Sequence, residues 1–350
     1  MKPIRVLVVD DSAFMRKMIS DILNSDPRLQ VTGTARNGQD ALDKLENIAV
    51  DVITLDIEMP VLDGISTLKR IMEKQSLPVV MLSSLTTRGA DSTLEAMSLG
   101  AVDFIAKPSG SISLDINNVR DEITDKVYHA SGVKLNDRKN KEFVRRTVTP
   151  QPIQMPKQHP QKKIVAIGTS TGGPKALHEV LTRLPENFPA PIVIVQHMPP
   201  NFTKSLANRL DSLSQLHIKE AENGEVLQNG TAYIAPGGYH LRVRQIGRTL
   251  AAHVTEEAPL KGHRPSVDIL FESLAKQTLF QTITVVMTGM GADGSAGIVK
   301  MKKAAADTVV IAESQISSVV YGMPQAAVKT GCVDMVEELE NISNALIDQF

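Results

Sequence analysis

Two segments of the chain alternate short apolar, β-branched runs with stretches whose apolar positions recur every three or four residues. In the first, strands are predicted over Ile4–Asp10, Leu29–Ala35, Val50–Asp56, Pro78–Ser84 and Val102–Lys107, each followed by a helical pattern. In the second, strands are predicted over Ile164–Gly168, Ile192–Gln196, Ile283–Thr288 and Val309–Ala312, each leading into a loop and a helix. Runs that stay apolar instead of alternating suit parallel sheets covered on both faces. Between the second and third of these strands, Thr231–Glu256 reads as hairpin structure, with Pro236-Gly237-Gly238 at one turn. The fold class expected is α/β, with two doubly wound parallel-sheet domains. The first would have the flavodoxin-like strand order, and the second is larger and carries a β-hairpin insertion.

Between the segments the pattern fails. Pro150, Pro152, Pro156 and Pro160 are interspersed with Lys139, Lys141, Arg145, Arg146, Lys157 and Lys162, with few apolar residues and no sustained period. An extended linker over 131–162 is expected, joining domains at 1–130 and 163–350. A length of 350 residues suits two domains, and 42% apolar against 22% charged residues supplies two cores. A net charge of -1 argues against a coat for nucleic acid or an anionic membrane. The one cysteine, Cys332, lies in an apolar stretch, permits no internal disulfide and fits a reducing compartment. The first apolar run ends at once in Asp10-Asp11, unlike a signal peptide, and no run approaches the length of a membrane span. A cytoplasmic, monomeric protein without membrane insertion is expected.

In open parallel sheets ligands bind beyond the carboxyl ends of the strands. The first domain's strand ends carry Asp10 and Asp11, Asp56, Ser83 and Ser84, and Lys107. Carboxylates converging on one rim repel one another without a cation, and Mg²⁺ suits such a site because it takes few carboxylates and keeps water and phosphate positions. A lysine opposite supplies positive charge for a phosphoryl group, and a serine hydroxyl can donate to it. Taken singly, Asp11 or Ser12 could cap the helix starting near Ala13, Lys107 could be a surface lysine, and Asp56 a loop residue. Their joint placement is much rarer. With Met59-Pro60 and Asp63-Gly64 after Asp56, and Lys107-Pro108, the segment closely resembles a response-regulator receiver. The resemblance implies that Asp56 accepts a phosphoryl group from a histidine kinase, with Asp10, Asp11, Asp56 and the Glu58 carbonyl holding Mg²⁺. It further implies that Ser83 and Lys107 bind the phosphoryl group and that Phe104 is an aromatic switch.

In the second domain Gly168-Thr169-Ser170-Thr171-Gly172-Gly173-Pro174 joins a strand to a helix expected at Lys175–Leu184. A serine on such a turn projects at the sheet rim beside backbone N–H groups, and the same turn could cradle an anion. His197 ends the next strand, where a structural role is also open, and Cys332 reads as packing. Gly289-Met290-Gly291-Ala292-Asp293-Gly294 matches a dinucleotide fingerprint, with Glu313 as the distant acid. Two features oppose that: Asp293 would repel pyrophosphate, and a dinucleotide domain normally opens with the motif. The zinc-hydrolase motif is absent, since Thr182 follows His178-Glu179 where a second histidine is needed. Ser170, His197 and Asp293 instead form a possible nucleophile, base and orienting carboxylate.

Gly168–Pro174, Gln196–Pro200, Ala235–Gly238 with His240, Arg264–Asp268 and Thr288–Gly294 are together similar to the catalytic domain of the chemotaxis protein-glutamate methylesterases. The resemblance implies demethylation of glutamate γ-methyl esters, and deamidation of certain glutamines, on methyl-accepting chemotaxis receptors. It also implies control by phosphorylation from a chemotaxis histidine kinase, and no esterase-site cofactor. Thr171 and Met290 are the candidate oxyanion-hole residues. A DNA-binding regulator would instead carry a compact helix-turn-helix output, and an inactive docking module would not need the serine, histidine and aspartate.

Overall fold

The structure, a computed structural model, describes residues 2–107, 116–133, 162–277 and 279–350. It divides into two compact units, Met1–Val144 and Arg145–Phe350.

The first unit runs β1 (Ile4–Val9), α1 (Ala13–Asn24), β2 (Leu29–Ala35), α2 (Gly38–Leu45), β3 (Val52–Asp56), α3 (Gly64–Lys74), β4 (Val79–Ser83), α4 (Thr87–Ser98), β5 (Asp103–Ala106) and α5 (Ile116–Ser131). The sheet order β2-β1-β3-β4-β5, with every pairing parallel, is the flavodoxin-like one. Its central strands are dictated by residues such as Val6–Val9 and Val79–Leu82, which are sealed from solvent on both faces. Four helices start on side-chain caps that accept a first-turn N–H: Ser12, Asn37, Asp63 and Thr86. Because Ser12 caps α1, Asp11 is left exposed at the rim. Gly64 lets the loop after Asp56 double back, since a Cβ there would lie 2.0 Å from the Asp56 carbonyl oxygen.

The second unit runs β6 (Lys162–Thr169), α6 (Gly173–Leu181), β7 (Ile192–Gln196), α7 (Phe202–Leu213), β8 (His217–Glu220), β9 (Thr231–Ile234), β10 (His240–Ile246), β11 (Thr249–Thr255) and α8 (Val267–Leu274). It continues with β12 (Phe280–Val286), α9 (Ser295–Ala304), β13 (Val309–Glu313), α10 (Met323–Lys329), β14 (Met335–Glu337) and α11 (Leu339–Ile347). Seven parallel strands, ordered β14-β13-β12-β6-β7-β9-β8, make the sheet, and β10 and β11 form a separate antiparallel hairpin. The chain order jumps between the neighbours β6 and β12, and the rim at that switch is where a crevice is expected.

The hairpin is shorter than expected. Thr231–Ile234 is buried along its whole length and pairs with β7 and β8, so it is an interior strand of the sheet. The Pro236-Gly237-Gly238 turn therefore links sheet to hairpin, and the hairpin turns at Gly247, whose φ is +60°. The strand expected at Ile283–Thr288 starts earlier, at Phe280, and leaves its ladder with β13 after Val286. The helix after the serine turn starts at Gly173 and not Lys175, with Pro174 in its first turn, where its missing N–H costs nothing. The expected linker residues 134–161, and Pro108, lie outside the described residues. No helix among those described is long and apolar enough to cross a membrane. Cys332 packs half-buried against the second core.

Phe271 on α8 is fully buried beside Gly294, which precedes α9, and Gly297 in that helix's first turn, so it holds the start of α9 against the domain's core. Phe271→Ala should destabilise the second unit by about 3–5 kcal/mol. Urea unfolding of the intact chain, followed by probes specific to each unit, should show the loss in the second transition only.

Candidate active site and phosphoacceptor site

At the first rim Asp10 and Asp56 are buried and Asp11 is exposed, and one carboxylate oxygen from each comes within 4.8 Å of the others. The Lys107 ammonium bridges two of them, 2.9 Å from Asp10 Oδ2 and 2.8 Å from Asp56 Oδ2. Burial pushes the Asp56 carboxyl up to about 6, against the opposing pull of Lys107. A small depression there is lined by Asp56, Ile57, Glu58, Ser83, Ser84, Gly89 and Lys107. The Ser83 hydroxyl donates to the Gly89 carbonyl (3.1 Å) and accepts from Thr93 (2.7 Å), which ties it to α4. Phe104 lies inward, 4% exposed. Three oxygen donors with room for further ligands are what a small hard cation takes, so the residues present fit Mg²⁺.

At the second rim the turn after β6 is held from several sides. Ser170 donates its N–H to the Thr288 carbonyl (3.0 Å), and its own carbonyl accepts from Gly173 N–H (2.8 Å) and Gln196 Nε2 (2.9 Å). The turn needs its glycines. Gly172 has φ +78°, and a Cβ on Gly173 would lie 1.9 Å from Gln196 Oε1. Thr169 pairs with Gln196 across β6 and β7, so Ser170 and His197 leave neighbouring strand ends together. The His197 N–H donates to the Thr169 carbonyl at 3.1 Å.

The His197 ring, largely buried, places Nε2 2.9 Å from Asp293 Oδ2. Asp293 also accepts from Val267 N–H at 2.7 Å, from Ser266 Oγ at 3.0 Å, from Asp268 N–H at 2.9 Å and from Gly294 N–H at 3.1 Å. Val267 and Asp268 open α8, so the carboxylate sits at a helix N-terminus, where negative charge is favoured. Burial alone would raise this carboxyl, but His197 and those backbone donors hold it well below the usual carboxylate range. An ionised carboxylate only accepts, so Nε2 carries the imidazole hydrogen and Nδ1 keeps the lone pair. Nδ1 is buried and has no hydrogen-bond partner.

The dinucleotide alternative fails on the same geometry. The N-terminus of α9, where pyrophosphate would lie, is already occupied: Asp268 Oδ1 accepts from Gly294 N–H (2.9 Å) and Gly297 N–H (2.8 Å). Glu313, the supposed ribose ligand, is completely buried. Thr171 is buried on the serine turn, and Met290, half-buried, lies on the loop whose Gly289 would carry a Cβ only 2.7 Å from Ser170 Cβ.

One participant was not foreseen. The ring of His263 stacks on His197 with centroids 4.1 Å apart and planes 7° from parallel. It directly precedes the run Arg264–Asp268, whose position in the motif was the available signal. Ser266, Val267 and Asp268 lie within that run, but their roles are not readable from residue type, because two of the three act through the backbone.

Two family models match: "CheB methylesterase" over residues 165–346 and "Response regulator receiver domain" over 6–116. The protein-glutamate methylesterase/protein-glutamine glutaminase of Halalkalibacterium halodurans is 55% identical over 346 residues, covering 99% of this chain and 98% of its own. The chain belongs to the CheB methylesterase family. The Geobacillus kaustophilus enzyme of the same name is 56% identical, over 99% of each chain. The crystal structure of the Thermotoga maritima CheB methylesterase catalytic domain superposes with a TM-score of 0.52 at 44% identity, covering 54% of this chain and 99% of that one. The chain is thus an α/β enzyme with a receiver ahead of its methylesterase domain.

Replacing Asp293 by Asn keeps the side chain's shape but presents an amide to Nε2 and favours the wrong tautomer. Asp293→Asn should lower turnover by up to about 10⁴-fold, read as methanol release from methylated receptor. Calorimetric titration with NAD and FAD should show no binding before or after the change. Micromolar binding by the unmodified chain would overturn this account of the loop.

Proposed function

We propose that this chain is a phosphorylation-activated protein-glutamate methylesterase and protein-glutamine glutaminase of chemotaxis adaptation, working through a serine acyl-enzyme. Its substrates are glutamate γ-methyl esters and certain glutamines on methyl-accepting chemotaxis receptors. The observation that carries this reading is the His197–Asp293 pair: its buried Nδ1 has no partner, and His197 follows β7 directly, as Ser170 follows the neighbouring β6.

Ser170 Oγ attacks the γ-carbonyl carbon while His197 Nδ1 takes its proton. Asp293, already ionised and bound to Nε2–H, stabilises the imidazolium without taking the proton itself. Collapse of the tetrahedral intermediate breaks the ester C–O bond, and His197 returns the proton to the leaving methanol. Water then attacks the acyl-enzyme with His197 again as base, releasing glutamate and Ser170. With glutamine the leaving group is ammonia. The oxyanion is received by the backbone N–H groups of Thr171 and Met290, where one donor is worth roughly 3 kcal/mol. The Ser170 N–H is not available for this, since it is spent on the Thr288 carbonyl.

At the receiver rim a chemotaxis histidine kinase donates a phosphoryl group to Asp56. Asp10, Asp11 and Asp56, with the Glu58 carbonyl, would hold Mg²⁺, which would supply positive charge for phosphoryl transfer there. Lys107 and Ser83 take phosphoryl oxygens, and Phe104 reports the change to the domain's outer face. Domains at 1–130 and 163–350, joined by the Pro-rich segment, complete the arrangement, in a cytoplasmic monomer.

Ser170→Ala should reduce methanol release from methylated receptor toward the ~10⁶-fold loss seen when a serine nucleophile is removed, with thermal unfolding unchanged. More than a few per cent residual activity would mean the nucleophile is misassigned. For control, a small-molecule phosphodonor with Mg²⁺ should raise the rate 5- to 150-fold, as a coupling of about 1–3 kcal/mol implies. Asp56→Ala should stay at the basal rate under the same conditions, and equal activation of that variant would exclude Asp56 as the acceptor.

A further inference from the structure

Glu313, the last residue of β13, is completely buried and has no part in the chemistry above. Its Oε2 accepts the Thr288 N–H at 2.7 Å, and its Oε1 accepts from Ser317 Oγ at 3.0 Å. Here β12 has just left its ladder with β13, whose last pair is Val286 with Ala312. The side chain of Glu313 therefore supplies the acceptor that a backbone carbonyl would have supplied.

Thr288 is the residue that grips the serine turn. Its carbonyl accepts from Ser170 N–H and from Thr169 Oγ1, each at 3.0 Å. Its hydroxyl donates to the Thr171 carbonyl at 2.9 Å and accepts from Val320 N–H at 2.9 Å. Residues 169–171 thus hang from Thr288, and the N–H of Thr288 is held by Glu313. On its far side Glu313 is tied through Ser317 to the start of α11, because Ser317 Oγ also accepts from Leu339 N–H at 3.0 Å.

We propose that Glu313 is a positioning residue for the nucleophile, fixing Thr288 and through it Ser170 and the Thr171 N–H. The inference rests on the reading of Ser170 as nucleophile. No lysine or arginine among the described residues pairs with this carboxyl, and burial pushes it up to about 7 against the pull of the Thr288 N–H. A buried acid without a counter-ion costs folding stability, so what Glu313 contributes is geometry.

The test measures kcat and KM for methanol release in the full-length chain, with active sites counted by stoichiometric labelling with a fluorophosphonate. Glu313→Ala strands a buried N–H and frees Thr288 to shift. It should lower kcat per labelled site by about 10- to 100-fold at unchanged KM, the scale for misplacing a reacting group by an ångström. Glu313→Gln keeps an oxygen at the same reach and should stay within about threefold of the parent while unfolding at an equal or higher temperature. Glu313→Asp, one methylene shorter, should fall between them, and it decides the matter if the alanine variant does not fold. Unchanged kcat per site in Glu313→Asp overturns the proposal. So does a Glu313→Gln variant as slow as Glu313→Ala with its fold intact, which would point to the charge and not the hydrogen bond. Full activity of Ser170→Ala in the same assay would instead overturn the reading of the site itself.

Discussion

The negative charge of Asp293 is the feature around which the hydrolase domain is organised. A buried carboxylate is tolerable only when donors replace its water, and here five are gathered from β7's end, the start of α8 and the start of α9. Meeting that demand fixes the entry to α8, aims the His197 ring and brings Asp268 to cap α9. The same contacts that make the charge affordable to bury also set the imidazole tautomer. Fold and site are therefore not separable here: loosening one donor weakens the helix entry and the histidine together.

The two rims treat a buried carboxylate in opposite ways. Asp293 is saturated with donors and held far down the acid range, whereas burial of Asp56, answered mainly by one lysine, leaves its carboxyl pushed up to about 6. A saturated carboxylate is a fixed strut with no affinity left for a ligand. An under-coordinated one, beside two more acids, has oxygen valences to offer a cation or a phosphoryl group. The contrast follows from which element presents donors: a helix N-terminus points at Asp293, and Asp56 is faced by Lys107, Asp10 and the Glu58 N–H.

Much of this was legible in the sequence because strand ends are legible. Buried β-branched runs locate β1, β3, β6 and β7 to within about two residues, and polar groups of both rims lie at or one residue past their ends. The short interior strand β9 reads from sequence as part of the hairpin, since four buried residues next to a Pro-Gly-Gly turn carry no signal for their partner strand. His263, Ser266 and Glu313 act through contacts with residues far along the chain, and their types do not announce such partners. In the sequence Glu313 stands out only by its spacing from a glycine motif, and its place under Thr288 depends on β12 stopping its ladder at Val286.

The strands β6 and β12 are neighbours in the sheet but far apart along the chain, and the serine turn is closed by a bond between residues 119 apart, Thr169 and Thr288. Parallel pairing over that separation needs the whole intervening chain, and such non-local contacts fold slowly. During synthesis, the receiver's five strands, joined by short helical crossovers, have all emerged before the first strand of the hydrolase. The hydrolase half has to wait, with β6 and β7 already present and one flank of β6 unpaired, until β12 leaves the ribosome. A nascent chain in that interval would present the apolar flank of β6 that β12 later covers, the kind of unpaired edge that invites pairing with another chain.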